Sequence, residues 1–355
     1  MKKLFYWCSL AFLAACVAGC DKESETVAAE TPPAPVEAPS FDDLMRTGLS
    51  AIAQKDAAAA AVAAAKALEL QPESAEARLL AGQAACLKQD YEQARAQFAA
   101  IIKEKSLPDA LRAKAYAGMG TIEFVQHDVD ASRISFFQAR RLDYRNAAAW
   151  YYLGLIYRDV YRFYEAAEEH FRMFARLSKP DDERAKKVNY EIVPELRRTL
   201  AAIAAARPGA STSKPNQAAT LIQEAQALED KKQLTAATKK YAAAFAADPQ
   251  SYAAALGYAR LVRRTDKTKE GVRKAILAYR AAIDQKPAVQ KTYLEVARLA
   301  RENQYWVQAV EIMNRAIAHD PQNKEALDQL IGALIKAGNG KLAAAWSEYR
   351  KDLGR

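Results

Sequence analysis

The sequence has few of the residues on which metalloenzymes and disulfide-bonded proteins depend. It has three histidines and four cysteines among its 355 residues, with 13 glycines and 13 prolines. His127, His170 and His319 lie far apart in the chain, and none has a ligand-like neighbour at close spacing. We therefore expect no metal and no other cofactor. Few glycines and prolines, with much alanine among the 51% hydrophobic residues, favour helix over strand.

The cysteines are concentrated at the start of the chain. Cys8, Cys16 and Cys20 lie in the first twenty residues, which leaves Cys86 alone in the rest. An exported protein with one unpaired cysteine has no internal disulfide framework, so its fold must depend on packing. We expect Cys86 to be a small apolar residue of a helix.

The N-terminal segment is typical of a signal peptide. Two lysines precede an apolar run from Leu4 to Val17, which is too short to span a membrane comfortably. The run ends in Val17-Ala18-Gly19-Cys20 and is followed by polar residues. This pattern resembles a bacterial lipobox, in which the cysteine carries the lipid. The resemblance predicts a lipoprotein signal peptide over 1–19 and a lipidated Cys20.

Cys16 is the alternative lipidation site. The segment Leu13-Ala14-Ala15-Cys16 also fits the pattern, but cleavage there would leave residues 17–19 apolar ahead of the polar switch. An uncleaved anchor, or an ordinary signal peptide with a chance cysteine, is a further alternative. Prolines among acidic residues and alanines over 20–40 favour an extended tether, so the folded part is expected to begin near Ser40. We expect the protein to be lipid-anchored in the cell envelope and to face the periplasm, with the choice of membrane open.

A repeat of about 34 residues runs through the remaining chain. Small residues recur in two sets, at intervals of 34, 38 and 34 in the first and 38, 34 and 34 in the second. Prolines close several units. Small residues let two helices approach closely, and proline ends a helix because it lacks an amide donor. The members are Gly48, Gly82, Gly120 and Gly154 with Ala60, Ala94, Ser132 and Ala166, then Ala237, Ala275, Ala309 and Ala343, and the prolines Pro72, Pro249, Pro287 and Pro321.

The pattern resembles the tetratricopeptide repeat family. The unit over 147–180 matches best, with Trp150, Leu153, Gly154, Tyr157 and Ala166 in register, although His170 stands where phenylalanine is usual. Large apolar residues between neighbouring hairpins are expected to fill the core: Phe98, Phe136, Trp150, Leu153, Tyr157, Tyr241 and Tyr279.

The resemblance implies an all-α fold, an α-solenoid of helix-turn-helix repeats in two blocks of about four. The predicted blocks are 41–206, including a capping helix, and 218–355, joined by a linker over 207–217. We expect the capping helix to be interrupted at Pro194. The stretch 264–271 is interpreted as an insertion that lengthens one turn and explains the 38-residue interval.

Two surfaces are candidate partner-binding sites, because the resemblance places the first helices on the concave face. The first block is expected to present an apolar groove for a hydrophobic peptide or helix, unless these residues are simply packed between hairpins. The second block repeats basic residues in equivalent slots, which would form a positive stripe for an acidic peptide or chain end, unless it is a solvated face. The groove residues are Met45, Leu49, Leu79, Phe124, Tyr151 and Leu155, and the stripe residues are Arg260, Arg263, Lys291, Arg298 and Arg301.

We interpret the chain as an envelope scaffold that assembles a protein complex, such as secretin or pilus, outer-membrane barrel or polysaccharide export machinery. An accessory subunit of an envelope polymer synthase is the alternative.

A catalytic role is not expected, since the array leaves no room for a catalytic domain and Gly338-Asn339-Gly340-Lys341 lacks the other residues of a phosphate loop. Nucleic acid and small-molecule substrates are not expected, because the signal peptide would export the basic surface, with its net charge of +9, from the genome.

Overall fold

The computed structural model describes residues 38–206 and 213–354. The predicted signal peptide, Cys20 with its alternative Cys16, and the tether up to residue 37 lie outside the described residues. Residues 38–40 are not helical, and the first helix begins at Phe41.

The first block contains four helical hairpins, as predicted. In each, a first helix is followed after a short turn by an antiparallel second helix. The pairs are α1 (Phe41–Ala53) with α2 (Ala57–Leu70), α3 (Ala75–Leu87) with α4 (Tyr91–Lys103), α5 (Asp109–Val125) with α6 (Val129–Leu142), and α7 (Ala147–Leu155), extended by a π-helical segment Ile156–Tyr161, with α8 (Tyr164–Leu177).

One further helical segment follows the fourth hairpin and packs on α8. It comprises α9 (Glu183–Lys187), a π-helical segment Val188–Ile192 and α10 (Val193–Ala205). The predicted interruption at Pro194 is wrong, because helical structure continues through it. The wider π-helical turn directly before this proline accommodates a residue that cannot donate a backbone hydrogen bond.

The second block contains four more hairpins, so the predicted α-solenoid of two four-repeat blocks is confirmed. Its first helix begins at Pro215, inside the predicted linker over 207–217. The pairs are α11 (Pro215–Asp230) with α12 (Leu234–Ala247), α13 (Tyr252–Thr265) with α14 (Lys269–Gln285), α15 (Gln290–Glu302) with α16 (Trp306–His319), and α17 (Lys324–Lys336) with α18 (Gly340–Asp352).

The 38-residue intervals are taken up by helix rather than by turns. Both α5 and α14 have 17 residues, whereas α12 and α16 have 14. The turn from α13 to α14 is only three residues, 266–268, so the expectation that residues 264–271 lengthen a turn is wrong. Four added residues make about one helical turn, which keeps the packing face in register.

Seven of the eight turns within the hairpins share one construction; the turn from α13 to α14 differs, because none of its residues has a positive φ. A residue with positive φ is followed by a residue that starts the second helix, as at Lys55 and Asp56 or Gln89 and Asp90. The aspartate side chain accepts hydrogen bonds from backbone amides of the helix's first turn. This cap satisfies donors that have no partner inside the helix.

Small residues of the first helices lie under large side chains. A Cβ atom on Gly82 or on Gly118 would come within 2.5 Å of the Phe98 ring. Gly154 similarly lies against Phe171, because a Cβ atom on Gly154 would be 2.9 Å from the Phe171 ring. The predicted core side chains are at most 5% exposed: Phe98, Phe136, Trp150, Leu153, Tyr157, Tyr241 and Tyr279. Close helix approach around these rings builds the core of each hairpin.

The two blocks pack against each other through their second helices. Phe137 of α6 contacts the rings of Trp346 and Tyr349 of α18, each with ring centroids 6.0 Å apart. Gln138 of α6 also donates a hydrogen bond to Asp352 of α18 at 2.7 Å. One core cluster accordingly extends from α5 to α18.

A buried arginine, an ion pair and a histidine–glutamate contact extend this interface to α16. Arg133 of α6 is fully buried, its guanidinium lies 4.9 Å from the Trp346 ring centroid, and it donates a 2.9 Å hydrogen bond to Asn314. From α8, Glu165 lies 3.5 Å from Arg315, and Glu169 lies 3.5 Å from His319. The third hairpin therefore faces the eighth and the fourth faces the seventh, so the blocks pack in opposite chain directions. We call these contacts the block interface.

Candidate partner-binding site

The first helices of the first block form a depression that we call the first-helix groove. Its volume is about 450 Å³. It is lined by α3, α5, the start of α7 and the loop before it: Gln83, Lys114, Ala117, Gly118, Thr121, Asp143, Arg145, Asn146, Ala147 and Ala148. None of the six residues predicted to form an apolar groove in this block lines the depression, and its lining is polar as well as apolar.

Two exposed cations, Lys114 and Arg145, are part of this lining. The lining also includes two small residues of α5, Ala117 and Gly118. The Thr121 hydroxyl is bonded to the Ala117 carbonyl at 2.9 Å, and the Asn146 side chain caps α7. Two exposed cations in a depression lined partly by small residues suit an extended peptide that carries a carboxylate.

The six residues predicted to form an apolar groove are distributed between core and surface. Leu79 is only 8% exposed and packs in a core cluster, while Leu49 is 53% exposed. The other four are half-buried against core residues: Met45, Phe124, Tyr151 and Leu155. Leu79 is therefore not accessible to a partner, and the contact role of the others stays a prediction.

The arginine stripe of the second block is engaged in ion pairs between neighbouring first helices. Arg260 of α13 makes two hydrogen bonds with Glu295 of α15, at 2.9 and 2.7 Å. Arg263 of α13 contacts Glu302 of α15 at 3.1 and 3.2 Å. These pairs connect successive hairpins, and a partner carboxylate would have to displace them.

Glu295 shows how firmly one of these pairs is held. Burial raises the pKa of its carboxyl, but the hydrogen bonds and charge of Arg260 outweigh burial, and the pKa is lowered overall. The charge of Lys291, which is exposed, acts in the same direction. Glu295 is therefore ionised at neutral pH and neutralises Arg260.

The remaining stripe residues are less constrained. Arg298 of α15 lies 3.6 Å from Glu325 of α17, and both side chains are more than half exposed. Arg301 is half-buried and lies near Gly332 of α17. Binding of an acidic chain end by the stripe stays a prediction, and Lys291 and Arg298 are its most accessible members.

His170 occupies a buried position where the repeat usually has phenylalanine. Its Nδ1 lies 2.7 Å from the Ala166 carbonyl oxygen, and its Nε2 lies 2.9 Å from Arg140. The arginine can only donate, so Nε2 accepts and the proton is on Nδ1. Burial, and then the charge of Arg140, lower the pKa of His170 well below its usual value. This histidine is neutral and structural.

Reactive or metal-binding chemistry finds little support in the described part of the chain. No group of three or more histidine, cysteine or acidic side chains there could hold a metal ion. Burial raises the pKa of the Cys86 thiol to about 11, so it is not a reactive thiolate at neutral pH. Across the same residues, no helix has the length and apolar character that a membrane span needs.

Comparison with known proteins gives one family and a set of similar folds. Residues 45–110 match the family model described as tetratricopeptide repeat. The solved structures similar to this chain include MamA, with 17% identity, 49% of this chain and 95% of MamA covered, and a TM-score of 0.34. Yeast Tom70 has 17% identity, 88% and 67% coverage and a TM-score of 0.34. The TPR2AB domain of yeast Sti1, in a complex with pHSP90, has 14% identity, 86% and 98% coverage and a TM-score of 0.28. No curated protein matches the sequence significantly.

Proposed function

Because the chain is a tetratricopeptide repeat protein, we propose that it is a lipid-anchored scaffold of the cell envelope that binds a partner protein and helps assemble an envelope complex. The repeat fold supports the scaffold role, since stacked hairpins expose a continuous face of first helices to a partner. The lipid anchor and the envelope location are supported by the lipobox-like segment at Cys20.

The observation that carries the binding role is the first-helix groove. Lys114 and Arg145, which are exposed in a lining that also contains small residues of α5, favour an extended peptide with an acidic side chain or a free carboxylate end. In contrast, the best-placed stripe arginines already face glutamates of this chain. The first-helix groove is therefore the preferred site, and the arginine stripe is the second.

We propose no catalysis by the chain itself, in line with the generally non-catalytic role of such repeat proteins. An accessory subunit that presents a polymer-synthesising enzyme would use the same groove. The two roles differ in the partner, which would be a structural envelope protein in the first case and a synthase in the second.

The binding role is tested by charge reversal in the groove. The double variant Lys114→Glu and Arg145→Glu is compared with Lys66→Glu and Lys239→Glu, which make the same charge change at exposed positions of the second helices α2 and α12. Crosslinked complexes are isolated from envelopes, and the bound protein is quantified. We expect the groove variant to lose the complex by about tenfold or more and the control to keep it. Recovery of the same amount of bound protein with both variants would overturn the proposed site.

The anchor is tested separately with Cys20→Ala. We expect this variant to lose incorporation of labelled fatty acid and to leave the membrane fraction. If labelling persists in Cys20→Ala and disappears in Cys16→Ala, the earlier cysteine carries the lipid.

A further inference from the structure

The outer face of the second block is only partly covered by the first block. The second helices α18 and α16, apart from exposed residues at the start of α16, are covered by α6 and α8 at the block interface. The neighbouring second helices α12 and α14 belong to the same face and continue beyond this cover. Arg280 of α14 marks the boundary, because it lines one depression together with Phe163 of the first block and two others without it.

This uncovered part, which we call the α12–α14 face, carries exposed apolar residues. Leu277 of α14 is 64% exposed and Val307, at the start of α16, is 73% exposed. Phe245 of α12 is half-buried and lines the same region. Large apolar side chains exposed on neighbouring helices of one face are typical of an interaction surface.

The shape of the face is suited to self-association. Leu277 and Arg280 separate two depressions of about 380 and 590 Å³. A protruding leucine beside a depression allows two copies of one face to fit reciprocally, each leucine entering the depression of the other, as a two-fold contact requires. The face also carries both charge signs, with Arg273 and Arg280 beside Glu311, so two copies would not simply repel each other.

We propose that the α12–α14 face binds the same face of a second copy of this chain, forming a two-fold dimer. Continuity with the block interface identifies the occupant: the adjacent part of this face already packs against second helices of a repeat block, and a second copy supplies helices of the same kind. The first-helix groove belongs to the opposite helices of the hairpins, so dimerisation leaves it open. The dimer would present two partner sites and raise avidity for a multimeric envelope complex.

The test uses two differently tagged full-length copies expressed together. A photoreactive side chain replaces Gln308, which is exposed and lines the smaller depression, and the control places it at the exposed Ala58 of α2. We expect a crosslinked product that carries both tags from position 308 only. Leu277→Glu should reduce this product by about tenfold or more, because it places a charge in the centre of an apolar contact. Leu70→Glu, a matched change at a residue that is 55% exposed on α2, should leave it unchanged.

Thermal unfolding of Leu277→Glu shows whether the variant is still folded. Because the Leu277 side chain is exposed, we expect its melting temperature to be unchanged, so that loss of the product reports loss of the dimer contact. As a second variant, Val307→Glu should weaken the same product. A crosslink from position 308 to a different protein, no product, or a product insensitive to Leu277→Glu would each overturn the dimer. The groove charge-reversal variant should still dimerise, so failure of the proposed binding site and failure of the dimer give different results.

Discussion

At the scale of single residues, the repeat positions are set by steric contact between helices. The Phe98 ring lies between Gly82 of α3 and Gly118 of α5, and a Cβ atom at either position would overlap it. The spacing of small residues predicted the Gly82 contact because it recurs with the repeat. Gly118 lies outside that spacing, so its contact with Phe98 could not be predicted from the repeat.

Gly118→Ala should destabilise the fold by about 1–2 kcal/mol, because overpacking against Phe98 exceeds the gain in helix propensity. Gly332→Ala is the matched control, since the nearest atom to its Cβ would be 3.9 Å away. We expect the control to be neutral or to stabilise by up to about 1 kcal/mol. Urea unfolding of both variants measures the difference, and a destabilised Gly332→Ala with an unaffected Gly118→Ala would contradict this packing.

His170 predicts a specific dependence of stability on pH. Its pKa is lowered in the folded state, so the unfolded chain takes up a proton first as pH falls below 6.5, the ordinary pKa of histidine. The stability present above this pH should therefore decrease on acidification, by up to about 1.4 kcal/mol per pH unit. His170→Gln does not titrate, and its amide oxygen can still accept from Arg140. Urea midpoints from pH 7 to pH 5 should fall more steeply for the natural chain than for this variant. Parallel profiles would show that His170 does not remain neutral in the folded state.

At the scale of helices and turns, the regular helical hairpins could be predicted from the sequence, whereas the irregular segments could not. Alanine-rich periodic stretches predicted every hairpin. The π-helical segment before Pro194 could not be inferred, because proline alone indicates a break. Likewise, the four added residues before Gly271 read as a turn, since charged and polar residues such as Asp266, Lys267 and Thr268 favour turns as well as helix starts.

Non-glycine residues with positive φ in the hairpin turns lower the stability of the fold slightly, and substitution by glycine should remove this cost. Gln89 has a φ of 62°, a conformation that glycine adopts without steric penalty. Gln89→Gly should therefore stabilise the protein by about 1 kcal/mol. The exposed Gln93→Gly, inside α4, should instead destabilise by about 1 kcal/mol. Thermal melting of the two variants checks the sign, and a loss of stability in Gln89→Gly would contradict the turn geometry.

At the scale of the whole folded unit, the block interface is the feature that sequence reasoning left open. Its contacts join residues far apart in the chain, such as Arg133 with Asn314 and Gln138 with Asp352. No repeat spacing encodes such pairs, because each hairpin matches the repeat pattern whether or not the blocks meet. The buried Arg133 of α6 indicates the interface, but its burial is known only from the structure.

Cleavage between the blocks tests whether this interface holds them together. With a protease site introduced into 207–212, we expect both halves to co-elute after cutting. Trp346→Ala should cost about 3–5 kcal/mol and release the halves, because Trp346 is fully buried against Phe137 and Arg133. Trp306→Ala, at a half-buried residue that begins α16, serves as the control and should leave the halves together. Separation of the natural halves on cutting would contradict a stable interface.

Site-specific crosslinking in intact envelopes tests whether the first-helix groove holds a partner protein. A photoreactive side chain is placed at Ala148, an exposed residue in the lining of the groove, and in a parallel strain at Ala243, an exposed residue of α12. We expect one defined protein to be crosslinked from position 148 and not from position 243, and we expect this product to be lost in the double variant Lys114→Glu and Arg145→Glu. The same products from both positions, or a product from position 148 that survives the charge reversal, would contradict it.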